Sequence, residues 1–419
     1  MSSVLHASRV LRCQENTPLS IDLEKREALR QAIERLSASI QPRLRQFEDQ
    51  GECCVIRNLI GTVELRDGSL VEVIPKTAPG GDWVRAVLSL LVGNRVEIAG
   101  ERLGGLSAPR EDLAAALARL YADRLERGLR REGPLLLMQR TRRRSTTFAG
   151  KLQVSSWLRD AWKRPVPFPI ESSQLQADNE FSRAMAIAAE ILARVSRDHG
   201  VASRLRAAAR MLRPGAAAVV SLPAGIERRV LPSQWAVYHS AWSIAVAVLS
   251  RRSPFSADGS NRGVTIAIEP WPLLEELLRR SLRAAAFESA KDGRVVFMRP
   301  EERVTLLRDA AGSSTASTKP DGQLIEAGRT LATFDAKYRD RSNDGKPTEG
   351  ELYQALAEAR ATGARIAVLA YPDSLPPEES RVQMPGGSPE RLLTIGLDLF
   401  GYRHGYESLR GREIWELVR

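Results

Sequence analysis

Ser317 to Asp340 reads STKPDGQLIEAGRTLATFDAKYRD, and the side-chain alternation in this stretch decides how the last third of the chain folds. In TLATFDAKY the two-residue period of a strand puts Thr333, Asp335 and Lys337 on one face, with Phe334, Ala336 and Tyr338 on the other. An acid and a lysine therefore project side by side. Upstream, Pro320-Asp321 opens another apolar segment, and Glu326-Ala327-Gly328 supplies the turn that folds the two strands together. That hairpin brings Asp321 beside Asp335.

Two clustered carboxylates and the backbone carbonyl of Ala336 make the hard oxygen shell that magnesium prefers, with manganese as a substitute. Such an ion acidifies water and neutralises charge developing at phosphorus, while Lys337 orients the water or helps take its proton. The chemistry implied is phosphodiester hydrolysis, with Asp321, Asp335 and Ala336 at the metal. A second acid-x-lysine string, Asp344-Gly345-Lys346, serves as a control: it lies among Asn343, Gly345 and Pro347, where the sequence predicts a surface turn rather than a strand.

Further out, WPLLEELLRRSL places Trp271, Glu275, Leu278 and Leu282 on one helical stripe, so Glu275 interrupts an apolar face. A carboxylate there is costly to bury unless paired, and a metal site or its lysine would pair it. Glu276 falls on the other stripe with Arg280, a surface ion pair. Downstream, the helix ELYQALAEA brings Tyr353 and Gln354 near the apolar strand RIAVLAYP, where Gln354 is a candidate to hold a phosphate or the attacking water. Helices near Pro272–Ala286 and Gly350–Ala361 alternate with strands near Val295, Leu324, Thr333, Ile366 and Leu393, giving an α/β domain.

The other regions carry no such constellation. Helical spacing runs from Leu23 to Ile40, and then CCVIRNLIGTVEL, the pair Asp67-Gly68 and SLVEVIP read as a hairpin with a two-residue type I′ turn. Trp83 to Val92 returns to helical spacing. Arg110 to Arg252 is mostly helical, interrupted by the basic run QRTRRRS, whose Arg140, Arg142, Arg143 and Arg144 are candidate DNA-phosphate contacts on a loop. SPFSADGSNR, residues 253–262, reads as a linker.

A formal charge of +11, with arginine far outnumbering lysine, makes a polyanionic partner plausible without specifying one. Three cysteines and four scattered histidines form neither a disulfide framework nor a zinc site. No GxxxxGK[ST] loop, apolar span or secretory leader is present, so the expectation is a cytoplasmic protein that neither crosses a membrane nor binds nucleotide by a P-loop.

FDAKY, then ELYQAL, then VLAYP resembles, in order and spacing, the nuclease core of the McrC family. Asp321 resembles the family's first catalytic aspartate, Asp335 its second, Lys337 its lysine and Gln354 its tyrosine-glutamine motif, while Glu275 sits where the family has a Leu-Phe-Glu helix. Leu274 replaces the phenylalanine, and Gly322 follows Asp321 where an aliphatic residue is usual. GTVELRDGSLVEVIPK is similar to the β-rich N-terminal element of longer members, and FAGKLQVSSWLRD to a Gly-basic-aliphatic segment. QADNEFSRAMA is similar to an Asp-x-x-x-Asn-Arg helix, keeping Asp178 and Arg183 with Ser182 in place of Asn.

The resemblance implies a multidomain α+β chain: a β-rich, partner-docking domain over residues 1–100, a helical module over 101–260, and a PD-(D/E)xK restriction-endonuclease-like domain over 261–419. It also implies a magnesium-dependent endonuclease of a restriction or anti-phage system. The chain would cut double-stranded DNA that an McrB-like AAA+ GTPase or ATPase hexamer recognises and translocates. The alternatives are a stand-alone repair or recombination nuclease and a nuclease-inactive activator of such a motor.

Overall fold

The computed structural model describes residues 10–40, 46–65, 67, 69–77, 82–92, 113–148, 150–159, 162, 167–196, 198–215, 225–249, 266–299, 302–341, 346–383 and 389–419. The chain divides into two compact units: Met1–Ala116 with Pro254–Arg419, and Leu117–Ser253. It is a mixed α/β protein with several sheets, and no described helix is long and apolar enough to cross a membrane. The linker read at residues 253–262 lies outside the described residues.

In the first unit, Val10–Gln14, Leu70–Ile74, Ile60–Glu64 and Ile266–Ile268 form a four-stranded sheet in that order. Its last strand comes from far along the chain and pairs antiparallel with Ile60–Thr62. The helix Leu23–Ile40 packs Leu29 and Ile33 into the same core as Cys13, Val63, Val71, Val73 and Ala267. The segment expected to be one strand before the hairpin is two, Cys54–Ile56 and Ile60–Glu64, in different sheets. Asn58 breaks it with φ 52°, a left-handed conformation asparagine tolerates, and its N–H donates to Glu15 Oε1 at 2.8 Å. The hairpin itself pairs Glu64 with Leu70, and Leu65 N donates to Ser69 O. Three residues rather than two separate the bonded Leu65 and Ser69, and the turn type falls on Arg66 and Gly68, outside the described residues.

The same unit holds a six-stranded mixed sheet in the order Val296–Arg299, Gly322–Glu326, Arg329–Ala336, Ile366–Tyr371, Arg391–Gly396, Glu378–Arg381. The first three strands form an antiparallel meander, the middle three are parallel, and the last edge strand is antiparallel. Ala327 (φ 49°) and Gly328 (φ 78°) both adopt positive φ between paired Glu326 and Arg329, as a type I′ turn requires.

The parallel pair is joined by the helix Glu349–Thr362, started by a reciprocal Thr348–Glu351 capping box and stopped by Gly363 at φ 69°. Its Ala355 and Ala359 pack on Ala367, Leu369 and Tyr371. The long helix Pro270–Lys291, with Pro270 and Pro272 in its first turn where a missing N–H costs little, buries Leu273, Leu274, Leu277, Leu278 and Leu282. It also packs against the final helix Tyr406–Val418.

The second unit contains the helices Leu113–Glu132 (its greater part), Glu180–Val195, His199–Leu212 and His239–Leu249, with Phe181 packed on Trp235 and Trp242. It is not purely helical. Leu137–Ser145, Phe168–Gln176 and Lys151–Leu152 form a three-stranded antiparallel sheet, so QRTRRRS is a strand and not an interhelical loop. The strand was hidden because the usual alternation of apolar residues is replaced by alternating arginine. Ser182, where the resembling helix has asparagine, is part of a capping box: Asn179 N donates to Ser182 Oγ, and Asn179 Oδ1 accepts from Ser182 N. Asp178 pairs with Arg183 at 2.9 Å and with Arg213 at 2.7 Å, which hold its carboxyl far below the usual range.

Candidate active site

The site grows from the register of two strands. Gly322 pairs with Phe334, so the residue before it, Asp321, lies beside the end of Arg329–Ala336, where Asp321 N donates to Phe334 O at 3.0 Å. Ala336 N then donates to Asp321 Oδ2 at 2.7 Å. Gly322 is the departure from the resembling pattern, and the packing explains it: a Cβ there would collide with Leu282 of the long helix. The glycine lets that helix press close to the strand that carries Asp321.

Asp335 pairs with Leu369, which puts it on the sheet face covered by Glu349–Thr362. It is almost fully buried. Lys337 continues the strand by donating its amide to Ala370 O, and its ammonium lies 2.7 Å from Asp335 Oδ2. On its other side Lys337 Nζ donates to Gln354 Oε1 at 2.8 Å. Asp335, Lys337 and Gln354 thus meet through one ion pair and one hydrogen bond, and Asp321 joins them through the Ala336 amide on the same strand.

Glu275 stands at the margin of this group. It is half-buried on the long helix, with Arg279 at 3.9 Å, and its charge is felt at Asp321. Glu276 makes the expected pair with Arg280 at 2.8 Å. Tyr353 is 70% exposed and makes no part of the cluster.

Electrostatically, the cluster is overloaded with negative charge. Burial pushes the Asp321 carboxyl up to about 8; the charges of Glu275, Asp335 and Glu358 add to this, and the Ala336 amide opposes it. Burial also raises Asp335, against the pull of Lys337. Among the described residues no group of three or more His, Cys, Asp or Glu side chains is arranged to hold a metal ion. A pair of carboxylates on hard oxygen is nonetheless what magnesium uses, because it takes its remaining ligands from water and substrate phosphates. The donor set fits that ion and offers no sulfur or imidazole to zinc.

Several contacts here were not legible in the sequence. Glu358, one turn after Gln354, is buried in the cluster and accepts from Thr318 Oγ1 at 2.6 Å and from Gln354 Nε2 at 3.1 Å. Its four-residue spacing from Gln354 was the available signal. The loop after Lys337 is pinned at both ends. Tyr338 OH donates to Glu15 Oε2 at 2.8 Å while Lys76 Nζ donates to Tyr338 O at 3.0 Å, and buried Arg341 makes a two-pronged pair with Asp373 at 2.6 and 2.8 Å.

The remaining candidates belong to the second unit or lie outside the described residues. Arg140, Arg142 and Arg144 alternate along Leu137–Ser145 and are exposed, with Arg142 3.2 Å from Glu171; the side chain of Arg143 lies outside the described residues. Asp344 and Gly345 of the control string also lie outside them.

Comparison with known proteins follows the same lines. No curated protein matches the chain in sequence. A chain of the refined half-complex from the tetradecameric assembly of Thermococcus gammatolerans McrB AAA+ hexamers with bound McrC is similar over 98% of this chain and 100% of that one, at 15% identity and a TM-score of 0.61. A chain of the cryo-EM structure of the Thermococcus gammatolerans McrBC complex is similar over 65% of this chain and 88% of that one, at 16% identity and a TM-score of 0.45. The first likeness shows a fold shared along nearly the whole length. The sequence profile of the McrBC 5-methylcytosine restriction system components matches residues 55–372, a span that takes in both aspartates, Lys337 and Gln354, and the chain belongs to that family.

Proposed function

We propose that this chain is the nuclease subunit of an McrBC-type restriction system, cutting double-stranded DNA with magnesium or manganese while an McrB-like AAA+ GTPase or ATPase hexamer drives it. The observation that carries the reading is the convergence of Asp321, Asp335 and Lys337 from adjacent strands of one sheet, in a chain of that family. McrC-bound McrB hexamers are the assembly to which the similar fold belongs.

Asp321 and Asp335 would hold the ion together with the Ala336 carbonyl, which leaves an extended residue on the same side as the amide that reaches Asp321. Magnesium, when bound, supplies the positive charge that offsets the reacting phosphate and acidifies water. Lys337, held between Asp335 and Gln354, would use its ammonium to orient an attacking water or a phosphate oxygen. Gln354 orients Lys337 and Glu275 closes the acidic side of the site. This arrangement belongs to a PD-(D/E)xK centre.

Arg140, Arg142, Arg143 and Arg144 are proposed to contact the DNA backbone. Alternate residues of a strand are roughly 6.6 Å apart, suited to successive phosphates of one nucleic-acid strand. The first hundred residues are proposed to dock the motor. Because they share a sheet with Ile266–Ile268 and hold Tyr338, docking there would act on the segment next to Lys337. Cleavage of plasmid DNA by the full-length chain with its motor partner and magnesium tests the whole reading: cutting that depends on Asp335 supports it, and motor stimulation without cutting would favour the nuclease-inactive activator.

A further inference from the structure

Glu358 is 1% exposed, its Oε1 takes hydrogen bonds from Thr318 and Gln354, and its Oε2 has no hydrogen-bond partner. A buried carboxylate with an unsatisfied oxygen, beside the like charge of Asp335, lowers stability compared with an apolar side chain of similar size. Its packing gives no reason for an acid there. Its neighbour does. The Gln354 amide has two nearly isosteric orientations, one presenting Oε1 to the Lys337 ammonium and the other presenting NH2 to it. In the observed orientation Oε1 faces Lys337 at 2.8 Å and Nε2 faces Glu358 at 3.1 Å. Turning the amide over would set donor against donor and acceptor against acceptor, so the carboxylate removes the wrong orientation.

We infer that Glu358 is a positioning residue of the nuclease centre, locking the Gln354 amide so that Gln354 and Asp335 together fix the Lys337 ammonium. It acts through Gln354 and does not touch the reacting atoms. The inference rests on the nuclease reading above, and its test separates the two.

The experiment uses the full-length chain with its motor partner, supercoiled plasmid DNA and magnesium, and compares wild type with Glu358→Leu, Glu358→Gln, Thr318→Val, Gln354→Ala and the Glu358→Leu/Gln354→Ala double variant. Glu358→Leu lowers kcat by about 10- to 100-fold with KM for DNA unchanged, the range for supporting residues around a metal centre. Glu358→Gln retains most activity, because its carbonyl oxygen accepts from the same two donors. The double variant is no slower than Gln354→Ala alone, since both changes break one link. The melting temperature of metal-free Glu358→Leu is no lower than that of wild type, whereas a merely structural glutamate would lower it. Should the leucine variant fail to fold, Thr318→Val decides: it lowers kcat by a smaller factor that disappears in the Gln354→Ala background. Wild-type kcat in Glu358→Leu, or a loss that adds fully to that of Gln354→Ala, overturns the inference while leaving the nuclease reading intact. A wild-type chain that never cuts overturns both.

Discussion

The six-stranded sheet of the first unit carries a buried acidic cluster at one end of two adjacent strands, whereas the three-stranded sheet of the second unit displays exposed arginines along the length of one strand. In the first, burial raises the proton affinity of Asp321, Asp335 and Glu358, the charge of Asp335 adds to it at Asp321 and Glu358, and Lys337 opposes it at Asp335. In the second, Arg140, Arg142 and Arg144 are exposed, and Glu171 lies near two of them. On the proposed reading, the buried acids would set up chemistry at a point and the exposed arginines affinity along a line. The two should therefore fail in different ways when altered.

The largest expected effect is on the metal. Cleavage by the full-length chain with its partner should vanish in a chelator and return with magnesium or manganese but not with zinc, because the donors are hard oxygens. Full activity in a chelator would remove the distinction between the two sheets. Next, replacing Arg140, Arg142 and Arg144 together by alanine should weaken DNA binding and reduce the salt dependence of the binding constant by about 0.9 for each phosphate no longer neutralised, leaving kcat at saturating DNA unchanged. Arg142, already paired with Glu171, should contribute least. A fall in kcat with unaltered binding would place the arginine strand in the chemistry instead.

The smallest effect is on stability. The folded chain holds the Asp321 proton more tightly than the unfolded chain does, so metal-free stability is present below the ordinary aspartate range and is lost as pH rises toward about 8. Asp321→Asn should remove part of that loss, raising the metal-free melting temperature at pH 8 by a few degrees while changing little at acid pH. A lower melting temperature in the asparagine variant at pH 8 would mean that the carboxylate is not under electrostatic stress.

The legible parts of the molecule were those where local pattern and tertiary outcome agree. The strand Arg329–Ala336, its turn at Ala327-Gly328 and the placement of Asp335 beside Lys337 follow from period-two alternation, and the long helix follows from its leucine spacing. Glu358 was not legible, because a glutamate in ELYQALAEA reads as a solvent-facing helix residue until the fold covers it. The arginine strand was missed because its polar faces lack the apolar alternation that marks strands, and pairing with Phe168–Gln176 supplies what propensity does not. Ile266–Ile268 is too short to announce itself, and only its partner Ile60–Glu64, some two hundred residues earlier, makes it a strand. Asn58, read as part of a strand, ends one because its left-handed conformation is secured by Glu15.

The most direct test of the central claim is plasmid cleavage by Asp335→Ala and Lys337→Ala, each assayed at full length with the motor partner and magnesium beside an Asp344→Ala control. The account predicts that both lose cleavage by about a hundred- to a thousandfold, as removal of a central electrostatic group does. Both should still fold and stimulate nucleotide hydrolysis by the motor, and Asp344→Ala should cut at the wild-type rate. Cleavage by Asp335→Ala at the wild-type rate would contradict the account.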